Sequence, residues 1–129
     1  MKLRYYTWEE FDDAVSRTDR PFCDGLVPVL RGGMAYALAL SHRYNLPILT
    51  YPTKKSVFVD DIADSGKTAV ELRATHGNNP VLVLLKREGL SARGVVAVDT
   101  FSEDWIVFPW ESKEKALEDY ELYIRKRNL

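Results

Sequence analysis

Four short apolar runs, each set off by a glycine-bearing or acidic turn or a helical stretch, leave this chain few ways to fold. Leu26–Leu30 (LVPVL), Ser56–Val59 (SVFV), Val81–Leu85 (VLVLL) and Val95–Val98 (VVAV) show no strict apolar–polar alternation. That is the pattern of strands buried on both faces. Pro28 weakens the first run, because proline removes a ladder donor. Met34–Asn45 is an Ala/Leu-rich helical stretch closed by Asn45 and Pro47, and Lys67–His76 reads as a helix stopped by Gly77. Thr7 with Glu10 forms a capping-box signature for an early helix with Trp8, Phe11 and Val15 on its apolar side. From Ser112 onward a last helix carries Leu117, Tyr120 and Ile124 on one face, with Arg125–Arg127 suiting its C-terminal dipole. Strand, glycine turn, helix, strand, acidic turn, helix, strand is the order of an α/β domain with a mainly parallel twisted sheet flanked by helices.

The 129 residues fit one domain, 1–129, with no repeat, low-complexity stretch or linker to divide it. Eighteen basic against nineteen acidic side chains argue against coating nucleic acid or an acidic membrane. The longest apolar run, Met34–Leu40, is far short of the ~20 residues a membrane span needs. The opening MKLRYYTWEEFDD turns acidic where a signal peptide would be apolar. The single Cys23 excludes an internal disulfide and a multi-cysteine zinc site, which makes a reducing cytoplasm the expected setting.

In open parallel sheets, ligands bind beyond the carboxyl ends of the strands. The strongest candidate there is Val57–Thr68, VFVDDIADSGKT. An apolar strand delivers Asp60 and Asp61, and the small-residue loop Asp64–Thr68 opens a helix. Successive N–H groups at a helix start make an anion cradle, Ser65 and Thr68 add hydroxyls, and Gly66 admits close approach. A P-loop is excluded by spacing, since its first glycine would fall at Asp61. The two carboxylates suit either a sugar with vicinal hydroxyls or a hard divalent cation such as Mg²⁺. Arg31–Gly32–Gly33, again between strand and helix, offers a guanidinium and bare backbone to a second anion. By itself RGG is a weak signal that a tight helix entry also explains.

These residues resemble a known family. VFVDDIADSGKT is similar to the phosphoribosyl-diphosphate (PRPP) motif of the type I phosphoribosyltransferases, and LVPVLRGG resembles that family's diphosphate loop. VLVLLK with Lys86, the later DWIVFPWE, and the early YYTWEE resemble the purine-salvage branch that includes the xanthine-guanine phosphoribosyltransferases. The resemblance implies that Asp60 and Asp61 hold the ribose hydroxyls and a Mg²⁺ carried by PRPP. It implies that Asp64 exchanges the purine proton and that the Asp64, Ser65, Gly66, Lys67, Thr68 loop binds the 5′-phosphate. Arg31, Gly32 and Gly33 would take the diphosphate, behind a cis Leu30–Arg31 peptide. Lys86 would donate to the exocyclic O6, Trp105 would stack on the base, and the Ile106 backbone would face its edge. The implied activity is Mg²⁺-dependent transfer of the phosphoribosyl group to a 6-oxopurine, in a homo-oligomer (dimer or tetramer) with a small hood over the sheet.

One departure matters. The family carries a long flexible loop before the PRPP strand, and here only Tyr51–Ser56 (YPTKKS) is available. The lid is therefore severely shortened or absent, and a non-catalytic sensor of PRPP or a nucleotide with the same fold is the competing expectation. Lys67 also stands where the xanthine-guanine branch has a second glycine, which leaves the preferred 6-oxopurine open. Lys54–Lys55 fit either a solvated turn or a position near the diphosphate. Trp110 reads as a core or contact aromatic, and His42 and His76 as structural.

Overall fold

The computed structural model describes residues 2–127. In chain order the elements are β1 (Leu3–Tyr5), α1 (Trp8–Arg17), β2 (Leu26–Pro28), α2 (Met34–Tyr44), β3 (Val57–Ala63), α3 (Lys67–His76), β4 (Val81–Arg87), β5 (Val95–Phe101), β6 (Trp105–Val107) and α4 (Lys113–Arg127). Four strands form an all-parallel sheet in the order β2-β3-β4-β5. A separate two-stranded parallel sheet pairs β1 with β6, Leu3 opposite Trp105. It was not legible in the sequence, because three-residue strands carry no periodicity.

Both faces of the larger sheet are covered, as its unbroken apolar runs require. Leu26, Val57, Val59 and Leu84 pack on one face against Phe11, Ala14 and Val15 of α1 and Tyr36, Ala37 and Leu40 of α2. Val27, Phe58, Val81 and Val83 pack on the other, with Ala69 and Leu72 of α3 against them. Thr7 accepts from the Glu10 amide at 3.0 Å while Glu10 accepts from the Thr7 amide at 3.2 Å, completing the capping box. Asn45 ends α2 in the left-handed conformation (φ 54°), and Gly77 ends α3. Arg17 ties the end of α1 to β5 through two bonds to Asp99 of 3.1 and 2.7 Å.

Several strands outrun their apolar cores. The third strand continues from Val59 through Asp60 and Asp61 to Ala63, and the fourth includes Lys86 and Arg87. Backbone pairing carries them on, with Asp60 opposite Val83 and Ala63 opposite Lys86. Pro28 sits inside β2 without breaking a ladder bond. Val29 donates to Val59 of β3 while Leu26 donates the other way, to Pro47, so the amides of the even positions face away from β3. On α4, Ala116 is the buried residue and Leu117 is exposed, which corrects the face expected from Leu117.

Candidate active site

The carboxyl ends of β2 and β3 bring the two sequence-derived turns together. Gly32 lies so close to Asp61 that a Cβ on it would stand 2.4 Å from Oδ2. A Cβ on Gly33 would stand 2.0 Å from the carbonyl oxygen of Val59. Neither glycine needs positive φ here; both are small because the turn presses onto β3. The Leu30–Arg31 peptide entering the turn is cis. At the end of β3, Gly66 (φ 82°) caps α3 and turns the loop, and the Lys67 amide meets Ser65 Oγ at 3.3 Å. Gly66, not Asp64, occupies the cap, so the Asp64 carboxylate is not used to close the helix.

Asp61 lines two cavities. One, of about 300 Å³, is lined by residues 60–69, which include Asp60, Asp61 and the loop Asp64–Thr68, and by Val81, Val83 and Val95 of β4 and β5. The other, of about 580 Å³, has Arg31, Gly32 and Asp61 on one side. Its other wall is Trp110, Glu111, Ser112, Lys115, Ala116 and Asp119. The start of α4 thus stands across the cavity from the Arg31 turn, and Lys115 adds a cation there that its sequence position did not signal. Trp110 stacks on Phe108 (4.9 Å between ring centres, 7° between planes) and meets Phe11 edge-on, as a core aromatic does.

The acid pair is short of positive charge. Asp60 is buried, and burial raises its pKa. Burial and the adjacent Asp60 push Asp61 up to about 7. Glu111 is raised as well, mainly by burial and further by Asp61. No ion pair reaches Asp60 or Asp61 among the described residues. Nor do three His, Cys, Asp or Glu side chains gather there into a protein-only metal cage. A cation would take two carboxylates here and its remaining oxygens from ligand or water, which fits Mg²⁺.

Lys86 lies in β4 opposite Ala63, one residue before Asp64. Trp105 in β6 packs against Tyr123 and Tyr120 of α4, at 5.0 and 5.9 Å between ring centres. Ile106 is buried beside it, and its backbone lies in register with Arg4. Sequence reasoning missed Arg87, which pairs with the Asp64 carboxylate through Nε. Its only signal was its place after Lys86 at a strand end, and nothing in the sequence says which loop carboxylate it meets.

The segment between α2 and β3 lies elsewhere. Ile48 bridges Leu26, the Asp24 amide donates to Lys55, and the Val57 amide donates to Gly25, all at the amino ends of the strands. Lys54 and Lys55 line a cavity there with Phe22, Cys23 and His76. They stand at the opposite end of the strands from Arg31 and Asp64, away from the Arg31 turn, and residues 51–56 do not reach over the site.

No family model matches the sequence, and no curated protein matches it. Solved structures do. A purine phosphoribosyltransferase from Pyrococcus horikoshii Ot3 is 28% identical, with a TM-score of 0.64 over 87% of this chain and 95% of that one. A xanthine-guanine-hypoxanthine phosphoribosyltransferase from Helicobacter pylori is 22% identical, with a TM-score of 0.67 over 91% and 99%. A Neisseria gonorrhoeae protein with bound ppGpp is 18% identical, with a TM-score of 0.65 over 92% and 96%. The last two likenesses establish the fold alone. The chain has the type I phosphoribosyltransferase fold and resembles the purine phosphoribosyltransferases that share it.

Proposed function

We propose that this chain transfers the 5-phosphoribosyl group of PRPP to a 6-oxopurine (guanine, xanthine or hypoxanthine) and releases diphosphate, as in purine salvage. The observation that carries this is Asp61, which lines both the cavity of the Asp64–Thr68 cradle and the cavity of the Arg31 turn. A ligand with a phosphate at one end and a diphosphate at the other, joined by a ribose, matches that order of donors. The P. horikoshii likeness, at 28% identity over most of both chains, supports the purine acceptor.

In this mechanism the Ser65–Thr68 amides and hydroxyls hold the 5′-phosphate, and Asp60 and Asp61 grip the ribose hydroxyls. Bound Mg²⁺, held by Asp61 and Asp60, would offset charge on the diphosphate. The Arg31 guanidinium and the Gly32–Gly33 backbone stabilise the departing diphosphate. The base is held by Trp105 and the Ile106 backbone, while Lys86 donates to O6 and selects against adenine. The purine nitrogen forms its bond to C1′ as the C1′–O bond to diphosphate breaks, and Asp64 takes the proton the base gives up. Most of the rate comes from holding the two reactants in line. Exposed Leu30, Met34 and Leu38, beside and along α2, support a homo-oligomer.

A second reading is favoured by one observation: residues 51–56 lie at the wrong end of the strands to cover the site. A chain that binds PRPP or a nucleotide without turning it over would not need that cover. Calorimetry with Mg²⁺ and PRPP, followed by nucleotide assay with each purine base, separates the two. Binding with turnover supports the transferase; binding without turnover from any base supports the sensor.

A further inference from the structure

Resting on the transferase reading, we propose that Arg87 is a positioning residue that aims the Asp64 carboxylate at the incoming base. Asp64 sits in a loop of small residues with its side chain about half exposed, where a carboxylate has several orientations open to it. Arg87 does not. It ends β4, its Nη1 donates to the Ser102 carbonyl at 2.6 Å, and its guanidinium lies 4.7 Å over the ring of Phe101, which is buried. Backbone, carbonyl and aromatic face fix the guanidinium before it meets the acid. Its Nε then donates to Asp64 Oδ1 and leaves Oδ2 for the base.

Arg87 acts through Asp64, not on the base directly. Its guanidinium is taken up by Asp64, the Ser102 carbonyl and the Phe101 ring. Asp64 in turn holds the guanidinium cationic. When the base gives up its proton to Oδ2, Arg87 keeps all of its own and only holds the geometry. A general base must lie within hydrogen-bond reach of the proton it takes, and displacement by ~1 Å costs on the order of 10²-fold in rate. Lysine at this position would keep the charge but not the planar fork that both anchors on Phe101 and donates sideways.

The test measures nucleotide formation and, separately, calorimetric PRPP affinity with Mg²⁺ for wild type, Arg87→Met, Arg87→Gln and Arg87→Lys. Circular dichroism identifies the folded variants, and the glutamine variant serves if the methionine variant does not fold. Turnover should fall about tenfold to a hundredfold in Met or Gln. PRPP affinity should stay within about twofold, because backbone amides hold the phosphate. Lysine should recover part of the turnover. A folded Met or Gln variant with wild-type turnover overturns the positioning role alone. So does a loss of turnover and PRPP affinity together, or a lysine variant no better than methionine. Wild-type protein that makes no nucleotide from any base overturns the transferase reading, and this role with it.

Discussion

Gly32 and Asp61 are held so close that no side chain fits between them: the missing Cβ would stand 2.4 Å from one carboxylate oxygen and 2.9 Å from the other. The Gly32 turn is thus packed against an acid that lines both its own cavity and the neighbouring one. Gly32→Ala should push the Asp61 carboxylate aside, keep the fold, and weaken Mg²⁺-dependent PRPP binding by about tenfold or more, ~1.4 kcal/mol. Gly33→Ala should be worse, because its Cβ meets the backbone carbonyl of Val59, which cannot step aside. Thermal unfolding should show a loss of ~1–3 kcal/mol. Equal, negligible effects of both substitutions would contradict this packing.

Asp61 should destabilise the free protein at neutral pH. Its folded pKa, about 7, lies above the unfolded carboxylate value of 3.8. Its stability contribution is therefore present below pH ~4 and lost as pH rises through about 7. Asp61→Asn should raise the unfolding midpoint, by ~1–3 kcal/mol in free energy, and more at pH 8 than at pH 5. The same substitution should abolish the stabilisation that Mg²⁺ with PRPP gives wild type. Because the proton competes with the cation, wild-type affinity for Mg²⁺ with PRPP should weaken from pH 8 to pH 6.

Lys86 should choose the base rather than hold the ribose phosphate. Lys86→Gln should reduce kcat/KM for 6-oxopurines by about tenfold to a hundredfold, with PRPP affinity little changed, since a charged donor to a ligand oxygen is worth ~1.5–3 kcal/mol. Steady-state assays with guanine, hypoxanthine and adenine check this. A wild-type preference for adenine would contradict the role.

Residues 51–56 lie at the amino ends of the strands, away from the site, so on the transferase reading water should reach C1′. Wild-type protein with Mg²⁺ and PRPP but no base should release ribose 5-phosphate and diphosphate at a measurable rate. Adding a 6-oxopurine should suppress that hydrolysis. Undetectable base-free hydrolysis alongside rapid transfer would mean that another segment, such as the start of α4 across from Arg31, seals the site.

Much of this was readable from the residues because the signals are local. Thr7 and Glu10 announce a cap, Gly77 ends α3, and Asp60 through Thr68 carry a loop whose chemistry is set by neighbours in sequence. The strand ends were not readable, since Asp60, Asp61, Lys86 and Arg87 are polar and only pairing with the next strand reveals them as sheet. Leu117 misled because α4 turns Ala116 inward and leaves the larger residue exposed. The Asp64–Arg87 pair joins residues 23 apart, and the strand end occupied by Lys54 and Lys55 depends on Ile48 pairing with Leu26. Neither relationship leaves a trace in spacing.

The most direct test of the central claim is nucleotide formation from PRPP and Mg²⁺ with each of guanine, xanthine, hypoxanthine and adenine, counting nucleotide and diphosphate together. The account predicts one diphosphate per nucleotide with at least one 6-oxopurine, little with adenine, and a turnover that Asp64→Asn lowers more than it lowers PRPP affinity. PRPP that binds yet yields no nucleotide with any base would contradict it.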